Sequence, residues 1–213
     1  MKKVNLTIMM LAMMVAALSV IACSSSSSDD EEFGNAQDGT IEGFQKTLCG
    51  KWELYRWEKG NGKDYDYSFL ESNEKLEFKK DGSFNGYMSH DVLACGGTWN
   101  IDSFKSYNYG SDTGYKGIVT LTIKEFGDDY QKEVYEKYVE EYNYYKERYS
   151  SFEEENELMS YDEYKSKFID QLIGVKIELN VEELFQNYLR IEEAYTIFNG
   201  KRTKADDFSE WRK

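Results

Sequence analysis

A hydrophobic alternation of period two, recurring from residue 49 onward, does more than anything else to limit the folds open to this chain. Val175, Ile177 and Leu179 are separated by Lys176 and Glu178, and Val119, Leu121 and Ile123 by threonines. Trp52 and Leu54 flank Glu53, Leu76 and Phe78 flank Glu77, Phe84 shares a parity with Met88, and Trp99 with Ile101. Successive strand side chains point to opposite faces, so such segments bury one face and solvate the other, as antiparallel sheets do. Turn chemistry agrees. Lys80-Asp81-Gly82-Ser83 is a hairpin signal, because Asp-Gly accepts the positive φ values of a type I′ turn. Gly96-Gly97 and Asn199-Gly200 mark further breaks. The spacing predicts a mainly β fold of about seven or eight short strands, most in sequence-adjacent hairpins, as an up-and-down barrel or meander.

The alternation stops between residues 127 and 172. There Tyr135, Tyr138, Tyr142, Tyr145, Tyr149 and Phe152 recur at the spacing that places them on one helix face. Asp128 with Gln131 reads as an N-terminal cap, and Ser160-Tyr161-Asp162-Glu163 as a capping box. The box opens a second helix whose Tyr161, Tyr164, Phe168 and Leu172 share a face. The segment is therefore expected to be an inserted helical hairpin, an acidic arm with a tyrosine seam. It holds 14 acidic and 6 basic side chains, and nine of the 18 tyrosines lie between residues 130 and 164. Two uses of the seam stay open: packing of the two helices, or a recognition surface of rigid rings with polar tips.

Charge narrows the function classes. With 26 Lys+Arg against 40 Asp+Glu, the formal net charge of -14 excludes a general nucleic-acid binder, which needs clustered cations to release phosphate counterions. Aromatics at 16% exclude a disordered polymer. A single His and no Cys pair at ligand spacing leave little for a zinc site or a His-dependent triad. His90-Asp91 is half of an acid/base or metal site at most, and Asp64 and Asp66 lack the spacing of a calcium loop. No G-x-S-x-G, P-loop, GxGxxG or HExxH occurs. The expectation is a non-enzymatic protein with no catalytic residue, no cofactor and no metal.

The N-terminus reads as an address. Met1-Lys2-Lys3 is basic and residues 4 to 22 carry no charge, as in a secretory leader. Val20-Ile21-Ala22-Cys23 followed by a Ser run resembles the lipobox of bacterial lipoproteins. That resemblance implies lipidation of Cys23 and removal of residues 1–22; the alternative is an ordinary signal anchor in which Cys23 is one more apolar residue. Removal takes Lys2 and Lys3 with it, leaving 24 basic against 40 acidic groups and a net charge of -16. Residues 24–40 read as a solvated tether reaching roughly 23 Å root-mean-square. Its Asp29-Asp30-Glu31-Glu32 cluster resembles the surface-export signal of Bacteroidetes lipoproteins, which implies an outer-membrane protein exposed at the cell surface; the alternative is an acidic spacer on a protein that stays periplasmic-facing.

A second resemblance concerns the barrel. Cys49-Gly50-Lys51-Trp52 gives a G-x-W at the first strand, preceded by an apolar turn at Ile41, Phe44 and Leu48. Together with KLEFKKDGSF (75–84) and Gly97-Thr98-Trp99-Asn100-Ile101, this looks like the lipocalin-like domains of Bacteroidetes lipoproteins. The implied division is a signal peptide over 1–22, an acidic Ser-rich tether over 23–40, a lipocalin-like β domain over 41–126 and 173–200, the arm over 127–172, and a basic solvated tail over 201–213. The implied function is binding of a small apolar ligand or glycan, with Trp52, Phe78 and Trp99 as candidates for the ligand face. The competing function is that of an interaction, accessory or inhibitor lipoprotein, docking on a protein partner through Tyr135, Tyr138, Tyr142, Tyr145 and Tyr149. An enzyme with convergent carboxylates in a cleft is the third class.

Two cysteines remain after lipidation, and export to an oxidising compartment makes Cys49 and Cys95 a disulfide candidate. Strand parity sets a condition. If residues 58–72 are loop, the two lie at opposite barrel ends, about 25 Å apart, against the roughly 7 Å between Cα atoms that a disulfide permits. An extra strand through Tyr65, Tyr67 and Phe69 would bring them to one end. Bridge and strand are expected together or not at all.

Overall fold

The computed structural model describes residues 39–58, 73–148, 157–206 and 208–213. Cys23, the tether through Asp38, Asp64, Asp66, the proposed strand at Tyr65–Phe69, Tyr149 and Phe152 all lie outside the described residues. In chain order come α1 (Ile41–Leu48), β1 (Gly50–Glu58), β2 (Lys75–Phe78), β3 (Ser83–Tyr87), a 3-10 turn (Ser89–Asp91), β4 (Leu93–Tyr109) and β5 (Asp112–Phe126). The insert supplies α2 (Asp128–Arg148) and α3 (Tyr161–Tyr164), and the chain ends with β6 (Lys176–Phe185), β7 (Tyr188–Phe198), β8 (Lys201–Asp206) and β9 (Phe208–Arg212).

Successive strands from β1 to β8 pair antiparallel, β5 and β6 across the inserted arm, and among the described residues no pairing joins β8 to β9. β8 pairs with the Ala194–Phe198 half of β7 and β9 with the Tyr188–Ile191 half, so the two form one stave. β9 then pairs with β1 from Glu53↔Arg212 to Glu58↔Phe208, and the sheet closes into an eight-stave antiparallel barrel. Closure leaves few sheet edges to be covered.

This corrects the reading of residues 201–213 as a solvated tail. Ala205, Ser209 and Trp211 are buried, Trp211 completely. The alternation was hidden because two of the inward residues are small or polar while Lys and Arg crowd the outward positions. Two turns also differ from expectation. In the β2–β3 connection only Gly82 has positive φ (+80), and Gly82 N–H bonds Lys79 O at 3.1 Å, giving a type I turn followed by a left-handed glycine. The Asp81 carboxylate accepts from Ser83 N and Oγ there, at 2.9 and 2.6 Å. The type I′ geometry belongs to Asn199 (φ 49) and Gly200 (φ 77), the two-residue link between Phe198 and Lys201. Gly96-Gly97 is no break. It lies inside β4 at a bulge, where a Cβ on Gly97 would stand 2.0 Å from Thr122 O.

The alternating residues meet inside. Trp52, Leu76, Phe78, Phe84, Trp99, Leu121, Ile177, Leu179, Ile191 and Trp211 belong to a single buried cluster. α1 seals one end, capped by Thr40 Oγ1, which accepts from Gly43 N at 3.1 Å. Its Phe44 packs on Tyr115 and Phe104 with ring centroids 5.6 and 6.2 Å away. Trp52 Nε1 donates to Leu48 O at 2.7 Å, while Lys213 Nζ lies 4.6 Å from the Trp52 ring and donates to Thr47 O at 2.8 Å. In a meander the connections alternate between ends. α1 and the β2–β3, β4–β5 and β6–β7 hairpins therefore share one end, and the Ser89–Asp91 turn, the Asn199-Gly200 link and the arm share the other.

Candidate functional site

The arm is built outward from its root. α2 follows Gly127, whose N–H bonds Ala94 O at 3.1 Å; a Cβ there would sit 1.9 Å from Leu93 O, so only glycine permits the approach. Gln131 does not complete a cap with Asp128. It lies a turn in, buried, with Nε2 donating to Phe126 O at 2.8 Å. Phe126 stacks on Tyr130 at 5.8 Å, and Val134, Tyr164, Leu172 and the buried Ile169 join the barrel core. The root thus covers the barrel end opposite α1.

The capping box forms as expected, with Ser160 Oγ and the Glu163 carboxylate exchanging bonds. Its hydrogen bonds to Ser160 hold the Glu163 carboxyl below its ordinary pKa. The limb that follows is less regular than its periodicity implied. One α turn (Tyr161–Tyr164) runs into a π turn (Lys165–Ile169) and a 3-10 turn (Asp170–Leu172). The π turn adds a residue to the spacing, so Ile169 faces the core in place of Phe168, which is exposed.

Above the root the seam splits into two halves. Tyr135 meets Tyr161 and Tyr164 edge-on at 5.4 and 5.6 Å, and Tyr138 stacks on Tyr164 at 4.8 Å. Their hydroxyls clamp the backbone of one residue: Tyr135 Oη donates to Met159 O at 2.9 Å, and Met159 N donates to Tyr138 Oη at 3.2 Å. Tyr142 is half-buried. Beyond it the rings face solvent, Tyr144 at 47% and Tyr145 at 45% exposure, edge-on to each other at 5.4 Å with Arg148 above Tyr144. The near half is packing; the far half is an exposed aromatic edge on an acidic helix. Tyr144, which the heptad-like spacing omitted, belongs to that edge.

The ligand-face candidates lie in the core. Trp52 and Phe78 are fully buried, and Trp99, with its Nε1 donating to Lys79 O at 3.2 Å, meets Phe78 at 5.8 Å. Among the described residues the barrel interior is occupied by side chains. A shallow groove of about 300 Å³ lies instead on the outer wall, where bulges in β4, β5 and β6 coincide, lined by Lys105, Lys116, Ile118 and Asn180 among others.

No family model, no curated protein and no solved structure matches this chain. Among the described residues no group of three His, Cys, Asp or Glu side chains is placed to hold a metal ion, and no helix is long and apolar enough to cross a membrane. His90 and Asp91 both adopt left-handed backbone (φ 61 and 58), with the Asp91 carboxylate 3.0 Å from Lys75 Nζ and 3.5 Å from Lys51 Nζ. That places Asp91 in an exposed ion-pair cluster.

No disulfide joins Cys49 and Cys95, so the expected bridge is absent. Cys95 lies level with Trp52 through Gly86 and Leu76. The two cysteines are thus three inter-strand steps apart around the wall, about 14 Å, and three residues apart along it, about 10 Å. Burial pushes the Cys95 thiol up to about 12.

Proposed function

We propose that this chain is a non-enzymatic interaction lipoprotein, in which a filled lipocalin-like barrel holds out an acidic, tyrosine-edged arm to a protein partner. The observation that carries this reading is the pairing of an occupied interior with an exposed far half of the arm. A small-molecule carrier needs space where Trp52, Phe78 and Trp99 pack, whereas a docking protein needs a rigid, exposed aromatic surface. Tyr144 and Tyr145 provide one, braced by the seam below, and the acidic excess selects a basic partner surface. The arm also leaves the barrel at the end opposite α1, which suits a protein tethered through its N-terminus.

Under the same proposal Cys23 carries the lipid, the leader is removed, and the protein sits in the outer membrane facing the exterior. Each buried lipid CH₂ contributes about 0.8 kcal/mol, and more than one chain is needed for stable anchoring. Palmitate labelling of wild-type and Cys23→Ala cells tests the anchor, with label expected on the wild type alone. The docking role is tested with a photo-cross-linking residue at Tyr145 and, as a control, at Tyr55 on the barrel wall. One salt-sensitive protein adduct at Tyr145 and none at Tyr55 is expected. Equal adducts, or none at either, overturn the docking reading.

A further inference from the structure

The β4–β5 hairpin overruns the barrel. Pairing of β4 with β3 ends at Thr98 and of β5 with β6 at Tyr115, yet β4 and β5 continue together to Tyr109↔Asp112. On this overhang Tyr107 and Tyr109 meet Phe185, from the adjoining β6, at ring distances of 5.8 and 6.1 Å. Gly114 makes the cluster possible: a Cβ there would stand 2.6 Å from the Tyr107 ring and 2.7 Å from that of Phe185. The rings are thus seated on backbone, while Tyr109 remains 72% exposed. An ordered aromatic tip facing solvent gains nothing for the barrel core.

The tip lies beside the point where the N-terminal segment joins the barrel. Gly39 N donates to Tyr115 Oη at 3.3 Å, and its missing Cβ would stand 3.0 Å from Ser106 Oγ. Ser106 is cross-strand partner to Tyr115, and Tyr109 lies three residues, about 10 Å, further out. A lipid on Cys23 would keep this end of the barrel within the reach of the tether, roughly 23 Å. Tyrosine at a membrane–water interface places its ring among the headgroups and keeps its hydroxyl wet.

We propose that the β4–β5 tip is a membrane-seating surface, with Tyr109 and Phe185 settling into the headgroup layer of the bilayer that holds the anchor. This rests on the lipoprotein reading above and adds an orientation to it: α1 and the tip face the lipid, and the acidic arm points away.

The test uses the full acylated chain in phosphatidylcholine vesicles, with and without a bromine-labelled phospholipid that quenches nearby indoles. Tyr109→Trp and Tyr145→Trp report on the tip and the arm by difference from the wild type. The expected result is at least a twofold loss of the Tyr109→Trp difference emission and none for Tyr145→Trp. Flotation of the protein with no quenching of Tyr109→Trp overturns the tip proposal and leaves the anchor standing; a tip that binds a glycan or a second copy instead gives this result. Failure of the wild type to float overturns the anchor reading and this proposal with it. Amide exchange at residues 108–113 gives the answer without a substitution. It should slow at least twofold on vesicles relative to the Cys23→Ala chain in buffer, and an unchanged rate on floated protein contradicts the proposal.

Discussion

At the residue scale, the closed end of the barrel depends on one contact across the whole chain. Lys213 reaches back to the Thr47 carbonyl in the last turn of α1 and lies on Trp52, joining residue 213 to the first strand. A hydrogen bond contributes about 1 kcal/mol net and a cation over an indole about 0.5–1 kcal/mol. Lys213→Ala is expected to lower unfolding stability by about 1–2 kcal/mol in urea titration, and Lys213→Arg by less, because it keeps the charge over the ring. An alanine variant as stable as the wild type would remove Lys213 from the account. The G-x-W made Trp52 legible from sequence, because the motif is local. Its partner was not, since a terminal lysine carries no signal until the barrel brings the two ends together. Cys49 and Cys95 illustrate the converse: redox context pointed to a bond, and strand register denied it.

At the element scale, the strands were readable wherever Val, Ile, Leu or an aromatic marked the inward positions. β8 and β9 were missed because Ala205 and Ser209 do that work quietly between charged residues. The arm was legible as a helical hairpin from its tyrosine spacing and capping box, but periodicity alone cannot say where packing ends and surface begins. In the structure the packed half reaches at least to Tyr138, whose hydroxyl, with that of Tyr135, is bonded to Met159, and the exposed rings begin at Tyr144. Replacing residues 139–157 by a short Gly-Ser link should therefore leave the barrel's cooperative unfolding intact, because Tyr138 and Met159 are already in contact. Replacing all of 127–172 should cost on the order of 3 kcal/mol or more, since Ile169 leaves the core and its neighbours are uncovered. Thermal unfolding followed by circular dichroism distinguishes the two; equal loss in both variants would mean that the far half of the arm also supports the barrel.

At the scale of the whole molecule, two opposing charge effects set the pH response. Hydrogen bonds from Ser83, Lys75, Ser160 and Lys204 hold the carboxyls of Asp81, Asp91, Glu163 and Glu193, respectively, below their ordinary values. Their contribution is complete above the unfolded values of 3.8 for Asp and 4.5 for Glu, and is lost as the pH falls through the lower folded values. Against this, lowering the pH from 7 toward the pI of 4.6 relieves the repulsion of a chain carrying -14. The thermal midpoint is expected to rise as the pH falls from 7 to about 5 and to drop below about 4. A midpoint falling steadily from pH 7 downward would contradict this balance.

The filled interior underlies the functional reading, and a titration with a fluorescent fatty acid such as cis-parinaric acid probes it most directly. A filled barrel offers no saturable site: emission should rise weakly and linearly, and be unchanged by Trp99→Ala. One molar equivalent bound with a micromolar or tighter Kd, and lost on mutation of an inward-facing residue, would restore the carrier and contradict the account.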